Sequence, residues 1–191
     1  AALIKAVDKY QDLLRISVAS AGNDHRLGGH EAPPAIISIF VGEEIEEILE
    51  CIANDEPYTA KDKTYMDIMI DALPKFAKDN SDRNRTSPFA FTGNKFEFRM
   101  LGSQLSIACT NVMLNTMVAE VFDEFASVLE ESKNFNKDVQ SLIKKTIIEH
   151  KRIIFNGNGY DEAWVLEAKK RGLLNLKTTY EALPHYTDEK N

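Results

Sequence analysis

From Gln104 to about Leu129 the chain carries a long, heavily apolar pattern with helical period. A helix of this kind is too apolar to face water alone, so the rest of the chain has to cover it. Most of the remaining sequence can do so in kind. Leu3, Val7, Tyr10, Leu14 and Val18 recur at three- and four-residue steps, predicting an amphipathic helix that stops at Gly22-Asn23. Ile37, Val41, Ile45, Ile48 and Ile52 predict a second, whose outer face carries Glu43, Glu44, Glu46, Glu47 and Glu50 as a solvated acidic stripe. A third covers about 137 to 155, a shorter one ends at Arg171-Gly172, and Thr178 to Glu181 fits a capping box for a last short helix.

The strand signals are fewer. Met66, Ile68 and Ile70 alternate with Asp67 and Asp71, predicting a short strand. The clearest β pattern spans 88 to 101, where Phe89 and Phe91 precede the turn "TGNK" and Phe96, Phe98 and Met100 alternate after it. The period of two throws Lys95, Glu97 and Arg99 onto the opposite face. The expected class is α+β, mostly helical with a small antiparallel sheet.

Composition narrows the partners. With 191 residues and 43% apolar content, the chain suits one domain with a real core. A net charge of −7 argues against nucleic acid and anionic membrane surfaces as partners. Cys51 and Cys109 sit far apart in apolar helical patterns, which suits reduced core thiols better than a disulfide framework. There is no run of 18 apolar residues and no signal-peptide pattern, so a soluble, cytoplasmic protein is expected. The opening "AALIKAVDKY" lacks Met and is already in helical period, as for a piece of something longer.

Two charged stretches could carry chemistry. The loop "NDHRLGGHEAPPAII" sets Arg26 and Glu31 among glycines and prolines. It reads either as a surface turn or as a mobile lid bringing one carboxylate as general base. His25 and His30 lack zinc spacing, and His150 reads as a satisfied helix residue. From Asp82 to Arg99 four basic residues (Arg83, Arg85, Lys95, Arg99) face two acidic ones, in a chain that is otherwise strongly acidic. That concentration fits either cross-strand ion pairs on a solvent-facing hairpin or a site for phosphate or carboxylate. Glu97, between Lys95 and Arg99, is the kind of oxygen ligand that Mg²⁺ takes beside phosphates, though one carboxylate alone makes no such site. "NGNG" at 156 to 159 follows a helix rather than a strand, so it reads as a helix-to-helix loop.

Taken together, three stretches resemble glutamine synthetase of the type III class. "NDHRLGGHEAPPAIIS" looks like the family's glutamate-binding loop, "DRNRTSPFAFTGNKFEFR" like its Asn-Arg-Ser element and x-Glu-x-Arg strand, and "FNGNGYDEAW…AKKRGLLNLKTT" like a carboxy-proximal type III segment. The resemblance implies an ATP-dependent glutamate–ammonia ligase working through γ-glutamyl phosphate, with ATP and Mg²⁺ (or Mn²⁺). Arg26 would then bind the glutamate carboxylate, and Glu31 would close the site and deprotonate ammonium. Arg85 and Lys95 would hold the nucleotide phosphates. Glu97 would be a metal ligand, and Arg99 would steady the transferring phosphoryl and the γ-carboxyl group.

The sequence also departs from the family. Arg26 and Glu31 are one residue closer than in the common type I pattern, and "SPFAF" offers no second arginine after the Asn-Arg element. The resemblance implies a partial catalytic domain over 1–191. It comprises a type III insertion at about 38–81, the hairpin at 88–101 and a carboxy-proximal helical segment at about 136–191. The amino-terminal β-grasp domain, the upstream metal-ligand glutamates and the Asn-Gly-Ser-Gly-x-His motif lie outside it. The piece alone is expected to be inactive, because family sites form between subunits of a homo-oligomer, stacked in rings. The alternative is a helical interaction or assembly module without catalysis.

Overall fold

The computed structural model describes residues 1–29, 32–59, 65–66, 76–77 and 86–191. Two helices, α1 (Ala2–Lys9) and α2 (Gln11–Ser17), stand where one was expected. Tyr10 interrupts them with non-helical backbone, φ −118° and ψ 31°. A third helix, α3 (Ala21–Arg26), then runs through Gly22-Asn23, where the sequence pattern predicts a stop. Ser20 caps it, its hydroxyl accepting from the Asn23 amide. The Asn23 side chain, instead of closing a turn, donates to the carbonyls of Val18 (2.6 Å) and Leu101 (2.8 Å). Arg26 is therefore the last residue of a helix rather than part of a loop.

The apolar run after the loop also differs from expectation. Ile36, Ile37, Ile39 and Val41 are buried, but as extended chain containing β1 (Ile39–Phe40), and α4 begins only at Glu43 (Glu43–Asn54). The cap of α4 comes from far along the chain. Gly42 has no side chain to offer, and Asn156 Oδ1 accepts from the amides of Val41 (3.0 Å) and Gly42 (2.9 Å). Two short strands, β2 (Tyr65–Met66) and β3 (Phe76–Ala77), pair antiparallel. The remainder of the strand expected at 66 to 71 lies outside the described residues.

The hairpin matches its pattern. In it β4 (Phe89–Phe91) and β5 (Phe96–Phe98) pair antiparallel, with Phe89 opposite Phe98 and Phe91 opposite Phe96. The Phe91 and Phe96 rings lie 5.1 Å apart, and Phe89 approaches both partner-strand rings at about 6 Å. The sheet as a whole is mixed rather than antiparallel, because β1 joins β4 in parallel. A parallel neighbour requires a long crossover, here the whole stretch from α4 to Ser87. On its other edge β1 meets Ile154 in a parallel bridge, and Phe155 N donates to Ile39 O at 2.9 Å.

Beyond the sheet come α5 (Ile107–Glu130), α6 (Phe135–His150), a 3₁₀ turn at Lys151–Ile153, α7 (Glu162–Lys170) and α8 (Thr179–Ala182), all close to expectation. The loop 156 to 159 does connect helices, and Thr178 and Glu181 form the full capping box. The core gathers Val7, Leu14, Ile39, Phe89, Met117, Val121, Ile147 and Trp164 between α1, α2, α5, α6, α7 and the sheet. Yet α5 is not the buried helix its pattern predicts. Only Met117 and Val121 are buried, while Ile107, Val112, Phe122 and Val128 are each more than half exposed. Cys109 likewise is exposed rather than in the core, Cys51 is half-buried, and both are free thiols. His150 is satisfied, as expected: its Nδ1 lies 2.8 Å from Asp8, which Arg152 also holds at 2.8 Å.

The carboxy-terminal segment is tied to α2 and α3 around a partly buried ion pair. Arg15, 1% exposed, reaches Asp24 at 2.7 Å and the Leu176 carbonyl at 2.7 Å. Asp24 also accepts from the Thr179 amide (2.7 Å) and hydroxyl (3.0 Å). Burial works against the Asp24 charge, but the Thr179 amide and the Arg15 guanidinium together hold its pKa below the usual carboxylate value. A depressed pKa contributes stability that is complete above about pH 4 and is lost as pH falls through the folded-state value. Replacing Asp24 with Asn should therefore cost about 1–2 kcal/mol at pH 7, and the gap from wild type should close on acidification. Thermal unfolding from pH 7 to pH 2 checks this, and a gap constant over that range would contradict it.

Candidate functional site

A cavity of about 630 Å³ opens beside the hairpin, lined by Leu27, Ala32, Pro33, Ser87, Pro88, Glu97, Arg99, Met100, Leu101 and Tyr160. Four separate stretches converge on it, and three elements hold them in place. The first is a pinched loop base. Leu27 and Ala32 form a parallel bridge, and the Gly28 amide is shared between the carbonyls of Ala32 (3.2 Å) and Pro33 (3.0 Å). Gly28 makes this possible with φ +80°, a conformation side chains disfavour. The second is the hairpin, which is closed just beyond β5 by the Arg99 amide donating to the Pro88 carbonyl at 2.7 Å. The third is the loop ending at Tyr160. Gly159 packs so closely on Thr86 that a Cβ there would collide with the Thr86 carbonyl oxygen.

The charged residues of the hairpin form one chain of contacts. Glu97 bridges Lys95 Nζ at 3.0 Å and Arg99 Nε at 3.2 Å. The Lys95 hydrogen bond, with Arg99 adding to it against a smaller opposing effect of desolvation, keeps the Glu97 pKa below its ordinary value. Glu97 is thus a carboxylate with fixed charge, and its two oxygens already accept hydrogen bonds from cations. This is the ion-paired hairpin that spacing alone allows, and it also places an anion and a guanidinium together on a cavity wall. Lys95 is largely exposed and does not line the cavity.

Arg26 lies elsewhere. It borders a separate hollow of about 370 Å³ with Ser20, Asn23, Leu101, Gly102 and Gln104. The two hollows share Leu101, so Arg26 is a neighbour of the main cavity and not part of its lining. Glu31 and Arg85 fall outside the described residues, with His30 and Arg83. Their immediate successors are described, however. Ala32 and Pro33 follow Glu31, Ser87 stands two residues after Arg85, and all three line the cavity.

Two lining residues escape a reading by motif. Ser87 is 2% exposed, and its hydroxyl has no hydrogen-bond partner among the described residues. Tyr160 comes from the "NGNGY" stretch, whose proximity to the hairpin no local pattern encodes. As for a metal, the donor chemistry of Glu97 fits a hard divalent cation, supplying one oxygen ligand. Among the described residues the one compact set of potential ligands is Asp12, His185 and Asp188, away from the cavity. There Asp12 is already engaged by Lys190 and Asn191, so that set reads as an ion-pair network. No described helix is long and apolar enough to cross a membrane.

Comparison with known proteins agrees with these motifs. Residues 138–191 match the family model described as the glutamine synthetase C-terminal domain. Over its whole length the chain is 48% identical to a type-3 glutamine synthetase of Dictyostelium discoideum, covering 26% of that protein. It is 47% identical to a glutamine synthetase of Butyrivibrio fibrisolvens and 44% identical to one of Bacteroides fragilis. In each of these two alignments 99% of this chain covers 27% of the relative. The chain thus spans about a quarter of the length of the relatives it matches.

Proposed function

We propose that this chain, which belongs to the glutamine synthetase family, forms part of the catalytic domain of an ATP-dependent ligase joining glutamate and ammonium. One observation carries the reading. The segments that follow Glu31 and Arg85 line the same cavity as Glu97 and Arg99, so both signature stretches converge on one place.

In this proposal Arg99 meets the γ-carboxyl oxygen of glutamate and the incoming phosphoryl group, offsetting charge that builds as the phosphoryl moves. Glu97, ionised and steadied by Lys95 and Arg99, supplies an oxygen ligand to Mg²⁺ or Mn²⁺. When bound, that cation neutralises phosphate charge. Arg85 and Lys95 hold nucleotide phosphates, the exposed Lys95 from the rim. Arg26 holds the substrate's carboxylate from the adjoining hollow. Glu31 closes the site and removes a proton from ammonium, and the resulting ammonia attacks the acyl phosphate carbon with phosphate as leaving group. Closure also keeps water from the acyl phosphate.

The rest of the domain would bring the remaining metal ligands, so the present chain alone is not expected to turn over. Assembly into a homo-oligomer with sites between subunits belongs to the same proposal. The exposed apolar residues along α5 support a surface of that kind, and they would equally serve an assembly module.

The test is phosphate release from ATP by the complete protein in the presence of glutamate. Release should depend on ammonium, and a rate indifferent to ammonium would overturn the ligase reading in favour of another phosphotransferase.

A further inference from the structure

A buried hydroxyl without a partner is costly, because it has lost its water and gained nothing in exchange. Ser87 is in that position in the lining of the 630 Å³ cavity, which Glu97 and Arg99 also line. The backbone on either side of it is pinned. Before it, Thr86 abuts Gly159; after it, the Pro88 carbonyl accepts the Arg99 amide at 2.7 Å, and Phe89 is 2% exposed in the core. The Ser87 backbone is therefore held in place at the cavity wall.

The loop that does the pinning is itself anchored. Asn156 caps α4 through Val41 and Gly42, and its amide nitrogen donates to Glu46 at 2.6 Å. Phe155 extends the sheet through Ile39 and stacks on Trp164, ring centroids 3.7 Å apart. These contacts bring "NGNGY" against the segment that carries Ser87.

We propose that the Ser87 hydroxyl is a ligand-contacting donor of this cavity, held for an oxyanion of the phosphoryl or carboxylate class that Arg99 also meets, and that the Asn156–Tyr160 loop fixes its position. This rests on the reading of the cavity as the ligase's acyl-phosphate site. It adds a residue, and a purpose for "NGNGY", that the signature motifs leave unassigned.

The test uses the complete protein and two probes, inorganic pyrophosphate and L-glutamate, titrated by calorimetry against wild type, Ser87→Ala and Ser87→Cys. Without ligand, Ser87→Ala should unfold at the wild-type temperature or a few degrees above it, since no hydrogen bond is lost. Its affinity for at least one probe should fall about tenfold. Ser87→Cys, with a weaker donor, should fall in between. A loss confined to pyrophosphate assigns the hydroxyl to a phosphoryl group, and one confined to glutamate assigns it to a carboxylate. Unchanged affinity for both probes would overturn the proposal, as would a clear drop in the unfolding temperature of ligand-free Ser87→Ala, which would mark a structural hydroxyl. Binding is read without turnover, so absence of ammonium-dependent phosphate release would sink the ligase reading separately.

Discussion

Replacing Glu31 with Ala in the complete protein should lower ammonium-dependent glutamine synthesis by about a thousandfold while leaving ATP affinity within about twofold. The size follows from the role. A positioned general base contributes roughly 10²–10⁴ to a proton transfer, and in the proposed role the same residue would also close the site against water. ATP would be held by Arg85, Lys95 and a metal that Glu97 would help to bind, none of which the substitution touches. Ala32 and Pro33 keep the loop base in place through Leu27 and Gly28, so losing the Glu31 side chain should not unfold the wall. Equilibrium ATP binding and steady-state synthesis, measured side by side, separate the two effects. Equal losses in both would mean that Glu31 acts on binding or folding, and the lid assignment would fail.

Replacing Gly159 with Ala should destabilise the chain by about 3 kcal/mol, roughly 6–12 °C in unfolding temperature, and weaken any ligand of the main cavity. A methyl group there meets a backbone carbonyl, that of Thr86, and not the movable end of a side chain. Relief requires the loop and the 86–88 segment to part. That would displace Ser87 and loosen the Pro88–Arg99 hydrogen bond. Gly22→Ala is the matched control. Gly22 sits inside α3 with nothing nearer to a new Cβ than Ser20 Oγ at 3.9 Å, so Ala should stabilise it by a few tenths to about 1 kcal/mol. Thermal unfolding of both variants is decisive, since a Gly159→Ala variant as stable as wild type would show that the loop does not brace the wall.

How far the sequence discloses this arrangement depends on the range of the interactions involved. The hairpin was legible because alternation is local: Phe89, Phe91, Phe96 and Phe98 declare their shared face, and "TGNK" declares the turn. The helices after α5 were legible for the same reason, down to the Thr178–Glu181 box. What failed was set by distant partners. Gly22-Asn23 looks like a helix stop, but Asn23 finds the Leu101 carbonyl and the helix continues to Arg26. The apolar run from Ile37 to Val41 has a helix-like spacing, yet Ile39 and Phe40 pair with β4, Ile39 also bridges Ile154, and the run carries the parallel strand of a mixed sheet. The apolarity of α5 predicts burial within this chain, whereas α1, α2 and α6 cover only part of it.

The candidate site was half legible. Charge spacing identified Lys95, Glu97 and Arg99 as a group, and the structure does join them. Their roles came from the resemblance, because an ion-paired hairpin looks the same whether or not it holds a ligand. Arg26, which the resemblance assigns to the substrate carboxylate, borders the adjoining hollow. Ser87 and Tyr160 carry no motif. Only the fold brings Gly159 against Thr86, more than seventy residues away in sequence, and with it the far wall of the cavity.

The most direct measurement replaces ammonium with hydroxylamine and follows γ-glutamyl hydroxamate by its ferric colour in the complete protein, wild type against Arg99→Ala. Wild type should form hydroxamate only with ATP, glutamate and a divalent cation together, and Arg99→Ala should lose at least about a hundredfold of that rate. Hydroxamate formation undiminished by Arg99→Ala, or none from wild type, would contradict the assignment of this cavity to acyl-phosphate chemistry.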